Sequence, residues 1–144
     1  MERTIKIITA ILIWLSLSSC YESPHIDFHS FQELSEYNFI RNGWIPEVVG
    51  TDAYNIQETY DVGNHHVFGK FDFKYRSTYD SIIQSYDRVE KDSLLGRIEK
   101  IHKPRYQKWF IPKTDLAGGN YVITKHDNFY LILDTKINRI YYLR

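Results

Sequence analysis

The residue best equipped for covalent chemistry stands at the end of LSLSSC: Cys20, the sole cysteine among 144 residues. A thiolate is a strong nucleophile, so its surroundings decide whether it attacks a substrate or receives a group. Leu17 lies three positions upstream, with the small pair Ser18 and Ser19 between. A leucine can fill an apolar subsite, and small residues let the backbone lie close to a processing enzyme. With one cysteine there is no intrachain disulfide, and the fold must rest on packing.

The other constellations are less specific. His65 and His66 invite a metal, with His25 and His29 as helpers. Adjacent strand residues point to opposite faces, so His65 and His66 do not share one ion, and His25 precedes the first predicted helix without an ordered frame. The expectation is no metal and no cofactor. Glu33 with Glu36, or Glu58 with Asp72, could flank a glycosidic bond. Eighteen acidic residues make some such pair inevitable. The sequence has no G-x-S-x-G, S-x-x-K or H-E-x-x-H and no glycine-rich phosphate loop, so no catalytic residue is assigned.

Charge distribution points to binding. Lys plus Arg balances Asp plus Glu at 18 each, with pI near 7.0, which argues against a nucleic-acid partner. Yet residues 21–87 hold 4 basic and 11 acidic side chains, whereas residues 88–113 hold 8 basic and 3 acidic. The basic tract KIHKPRYQKWF interleaves cations with rings, and its candidate binding residues are Lys103, Arg105, Tyr106, Lys108 and Trp109. Such a segment can grip an acidic protein or glycan while its rings stack on sugar or apolar surface. The competing reading is a solvated helix end and loop whose Trp109 packs into the core. Trp44, followed by Pro46, is either a sugar platform or a plug for the sheet edge.

The elements that must position these residues begin with an export segment. Arg3 and Lys6 precede the apolar run Ile7 to Leu17. Eleven helical residues span only about 17 Å, roughly half a hydrocarbon core, which predicts a removable signal instead of a stable transmembrane helix. With LSSC at its end, this segment resembles the precursors of bacterial lipoproteins. That resemblance implies a signal peptide over 1–19, diacylglycerol on Cys20 and further acylation such as palmitate, and a membrane anchor formed by those chains. Tyr21, in place of an Asp, then favours the outer membrane in a host that has two.

After a tether over 20–29, residues 30–144 are expected to form one α+β domain, which suits a chain 43% hydrophobic. Ser30 and Glu33 form a capping box that opens a helix over Phe31 to Asn42, stopped by Gly43. Alternation predicts a β-hairpin: Tyr54, Ile56 and Tyr60 on one strand, then Val67, Phe71, Phe73 and Tyr75 on its partner. Ser77 or Thr78 caps a second helix carrying Tyr79, Ile82, Ile83, Tyr86 and Val89. A third helix, weakened by Gly96, carries Leu94, Leu95, Ile98 and Ile101. Residues 104–120 read as loop. YVITK, FYLIL and RIYYL form a three-stranded meander whose middle strand, apolar on both faces, belongs inside the sheet. The expected total is about five antiparallel strands with two or three helices packed on them.

GWIP, DAYNI, ETYD and FDF, between Gly43 and Phe73, resemble the core pattern of exported bacterial proteins with a YbbD head domain, over about Ser30 to Arg76. The resemblance implies a cell-envelope protein and carries over no catalytic residue. The expected function is therefore a non-catalytic binding or accessory module of the envelope. The alternatives are a lipid-anchored hydrolase of an envelope polymer and an inhibitor of a secreted enzyme.

Overall fold

The computed structural model describes residues 24–61, 65–101 and 107–144. Cys20, the signal segment, and Lys103, Arg105 and Tyr106 of the basic tract lie outside these residues. The described chain is α+β, with one open antiparallel sheet of six strands and four helices. The strands are β1 (His25–Ser30), β2 (Ala53–Asp61), β3 (His66–Phe73), β4 (Tyr121–His126), β5 (Phe129–Asp134) and β6 (Arg139–Leu143). The helices are α1 (Phe31–Ser35), α2 (Arg76–Ser85), α3 (Lys91–Glu99) and α4 (Lys113–Gly118). Spatial order across the sheet is β1-β2-β3-β6-β5-β4.

The hairpin and the meander occur where alternation places them, except that Tyr75 falls beyond β3 and is exposed, and an antiparallel β3–β6 pairing joins them into one sheet. Inside the sheet, β5 buries Leu131 and Leu133 on one side and Ile132 on the other. Each side has its own core. On the first, Ile56, Val67, Phe71, Phe73, Ile140 and Tyr142 pack with Leu34 of α1, Ile45 and Val49 of the following turns, and Tyr79 and Ile82 of α2. On the second, Phe68, Ile123, Ile132 and Leu143 pack with Leu94 and Ile98 of α3, with Phe110 and Ile111 of the segment before α4, and with Leu116 of α4. Burying about ten large apolar side chains at roughly 1.5–3 kcal/mol each makes even the smaller core a substantial source of stability. Between α2 and α3 the chain crosses the β4 edge, where the Val89 N–H donates to the Ile123 carbonyl at 2.8 Å.

Four sequence expectations change. Residues 25–29, expected as tether, belong to β1, which pairs antiparallel with β2 from His25↔Thr59 to Ser30↔Tyr54. The strand is short and mostly polar, and Phe28 is its only buried residue, so its alternation is weak. The first helix ends at Ser35, far short of Asn42, because the next residues turn back to set Tyr37 and Phe39 against Phe28, with ring centroids 5.4 and 5.6 Å away. Its expected start holds: Ser30 Oγ accepts from the Glu33 N–H at 3.3 Å, and Glu33 Oε2 accepts from the His29 N–H at 2.7 Å. Gly43, at φ 69°, closes the turns instead of the helix. In α2, Ser77 and Thr78 lie inside the first turn and Tyr75 is the cap, without a side-chain capping bond. The expected loop over 104–120 contains α4, anchored by buried Leu116.

Candidate functional site

Strand periodicity decides which groups meet. Phe71 and Phe73 enter the first core, so Lys70 and Asp72 project from the opposite face, beside Phe68. Pairing sets Asp27, Gln57, Lys70 and Tyr141 in one row across β1, β2, β3 and β6. The next row is Tyr54, Asp72, Arg139, Asp134 and Tyr121. The α3–α4 side covers only part of this face. At its β1 end it is open: the side chains of His25 and Asp27 are 43% and 51% exposed.

Trp109 sits at the boundary between core and open face. It is partly buried against the second core, its ring 6.0 Å from Phe110 and 6.1 Å from His25, with Lys70 Nζ 5.8 Å from its centroid. Trp109 is thus neither free nor sunk in the core. Lys108 is exposed beside it. Burial draws the Lys70 pKa below its ordinary value, helped by repulsion from Arg139 and opposed by attraction to Asp72 and Asp27.

Asp72 is engaged on all sides. It accepts from Arg139 Nε at 2.6 Å and from the other end of the same guanidinium at 2.9 Å, and Asn55 Nδ2 donates to it at 3.2 Å. The fork-shaped pairing raises the Arg139 pKa further and withholds Asp72 from general-base work. Asn55 reaches Asp72 from a bulge, where its φ is 57° and the β2–β3 register shifts. The bulge also moves Tyr54 to the Asp72 face, away from Ile56, with which simple alternation groups it.

Glu58 occupies the other face. Ile56, Glu58 and Tyr60 share one parity, and Glu58 is fully buried. Its Oε2 accepts from the Tyr142 hydroxyl at 2.8 Å, and its Oε1 is buried without a hydrogen-bond partner. Burial pushes its pKa up to about 8, against smaller lowering effects from the Tyr142 hydrogen bond and the Arg144 charge. Arg144 in turn lies over the rings of Trp44, at 5.3 Å, and Phe129, at 5.5 Å, and donates to the Gly43 carbonyl. Trp44, 4.6 Å from the Tyr60 ring, therefore closes the rim of the first core. Since Glu58 and Asp72 face opposite sides of the sheet, they cannot flank one glycosidic bond. The signal for Glu58 was in the sequence: a carboxylate at an apolar parity position.

The remaining candidates disperse. Glu33 is tied to the His29 backbone and Glu36 caps the end of α1. His65 stands in the hairpin turn with φ 56°, and His66 opens β3. His25 does have an ordered frame, in β1, where its Nδ1 is 3.0 Å from Thr59 Oγ1.

The unit made of β1, α1, β2 and most of β3 is what the known families recognise. Residues 22–72 match the YbbD head domain. No curated protein and no solved structure matches the chain. The YbbD head-like segment supplies Asp27, Tyr54, Glu58, Lys70 and Asp72. Trp109, Arg139, Tyr141 and Tyr142 come from beyond it, so each charge cluster is completed by residues outside the YbbD head match.

Proposed function

We propose that this protein is a lipid-anchored component of the bacterial cell envelope, acting as a non-catalytic binding or accessory module for another envelope component. The observation that supports binding over catalysis is the placement of Trp109 at the rim of a polar stretch of sheet whose β1 end is exposed, beside half-buried Lys70 and exposed Lys108. Rings at such a rim stack on sugars or apolar partner surface, while nearby cations attract acidic groups. The rest of the basic tract, Lys103, Arg105 and Tyr106, adjoins Trp109 in the chain and extends the same chemistry.

Affinity capture from solubilised envelopes tests the surface. Replacing Lys103, Arg105 and Lys108 by Ser together is expected to weaken capture of an acidic partner, an effect that added salt reproduces through screening over about 8 Å. Lys108 is exposed, and exposed charges contribute little to stability, so its replacement should leave melting unchanged. Unchanged capture would remove the basic tract from the interface. The anchor has its own measurement: mass spectrometry of the native protein should find Cys20 first and diacylglycerol-modified. An unmodified thiol, or cleavage elsewhere, overturns the lipoprotein assignment.

A further inference from the structure

At the end of the sheet opposite His25 lies a second surface. There the start of β2, the end of β3 and the β5–β6 turn enclose an open groove of about 450 Å³. Its walls include Tyr54, Lys74, Lys136, Ile137, Asn138 and Arg139. Two features set it apart from ordinary surface. Of the four exposed large hydrophobic residues among the described residues, Tyr54 and Ile137 line this groove, and Tyr75 directly follows Lys74. Among the lining residues Arg139 is neutralised by Asp72, which leaves the ammonium groups of Lys74 and Lys136 as the excess charge, while the neighbouring Asp52 and Asp134 carboxylates accept from the Tyr75 and Lys136 N–H groups.

We propose that this groove binds an acidic saccharide, a sugar face against Tyr54 and its carboxylates on Lys74 and Lys136. Tyrosine rings left in water offer flat apolar platforms that suit the C–H faces of pyranoses, and they lose little conformational entropy on binding. Two lysines on separate loops suit charges repeated along a chain better than one compact anion. The groove is open, as a polymer requires. It uses none of the residues of the surface proposed above, so either assignment can fail alone.

The test is calorimetric titration of the full chain with an oligogalacturonate and, in parallel, with a neutral malto-oligosaccharide of equal length. The oligogalacturonate is expected to bind, to bind less as salt rises, and to bind at least about tenfold more tightly than the neutral chain. Lys74→Ser with Lys136→Ser should lower its affinity at least about tenfold without shifting the melting temperature, since both side chains are exposed. Tyr54→Ala should weaken binding while preserving its salt dependence. Should the double lysine variant fold poorly, Ile137→Asp, at an exposed turn position, is expected to repel the ligand instead. The proposal is overturned by absence of oligogalacturonate binding, by equal binding of the neutral chain, or by inorganic phosphate binding as tightly as the oligomer. Full affinity in the folded lysine variant overturns it as well.

Discussion

The stability of this protein is expected to fall as pH rises from about 4.5 to about 8, and Glu58→Gln should remove that fall. Within this window the folded chain keeps a proton on Glu58 that the unfolded chain has released. The unfolded state binds fewer protons there, so unfolding free energy decreases as pH increases. Below the window both states are protonated and the contribution is complete; above it both are ionised and the loss is finished. At about 1.4 kcal/mol per pH unit, the window corresponds to a loss on the order of 5 kcal/mol. Tyr142 does not mimic this, because burial first, and then Glu58, hold its phenol well above its usual pKa. Urea titrations from acid to alkaline pH measure the effect. Glu58→Gln keeps an acceptor for the Tyr142 hydroxyl but cannot ionise, so its profile should be flatter, and above pH 8 the variant should be the more stable protein. Parallel profiles for the two proteins would show that Glu58 is ionised in the folded chain.

Gly69→Ala is expected to destabilise the protein by about 2 to 6 kcal/mol. Glu58, Gly69 and Tyr142 are paired across β2, β3 and β6, and the Tyr142 ring crosses Gly69 to reach Glu58. A Cβ at position 69 would fall 1.8 Å from Tyr142 Cζ. The ring has no easy retreat, because Phe71 and Phe129 pack on it with centroids 5.9 and 5.8 Å away. Overpacking of this kind costs about 1–3 kcal/mol, and displacing the hydroxyl leaves the Glu58 carboxyl buried without its donor, for about 1–3 more. Tyr142→Leu removes the clashing atoms, so Gly69→Ala should cost much less in that background. An equal cost in both backgrounds would mean that backbone conformation, not the ring, requires glycine.

Much of the sheet was legible because it is encoded locally. In the hairpin and the meander, period-two alternation and turn residues lie within a few positions of each other, and neither needs the rest of the chain to be read. The doubly apolar FYLIL announced its interior place for the same reason. β1 was missed because its pairing with β2 compensates for a weak pattern, and the first helix was read too long because the contacts of Tyr37 and Phe39 with Phe28 outweigh helical periodicity. The bulge at Asn55 is a one-residue slip that changes the face of Tyr54, and alternation cannot foresee where the register shifts.

By itself, the sequence determined the α+β class, the strand blocks, the two-sided burial of β5, the YbbD head-like segment, and the expectation of a lipidated Cys20. Tertiary structure alone decided that Tyr142 reaches Glu58 and Arg139 takes up Asp72, that Trp109 stops at the edge of the core, and that Lys74 and Lys136 line one groove at the end of the sheet. The physical reason is range. Propensity, parity and capping act over a few residues, whereas these charge and ring placements depend on the β3–β6 pairing, which brings residues about seventy positions apart into one row.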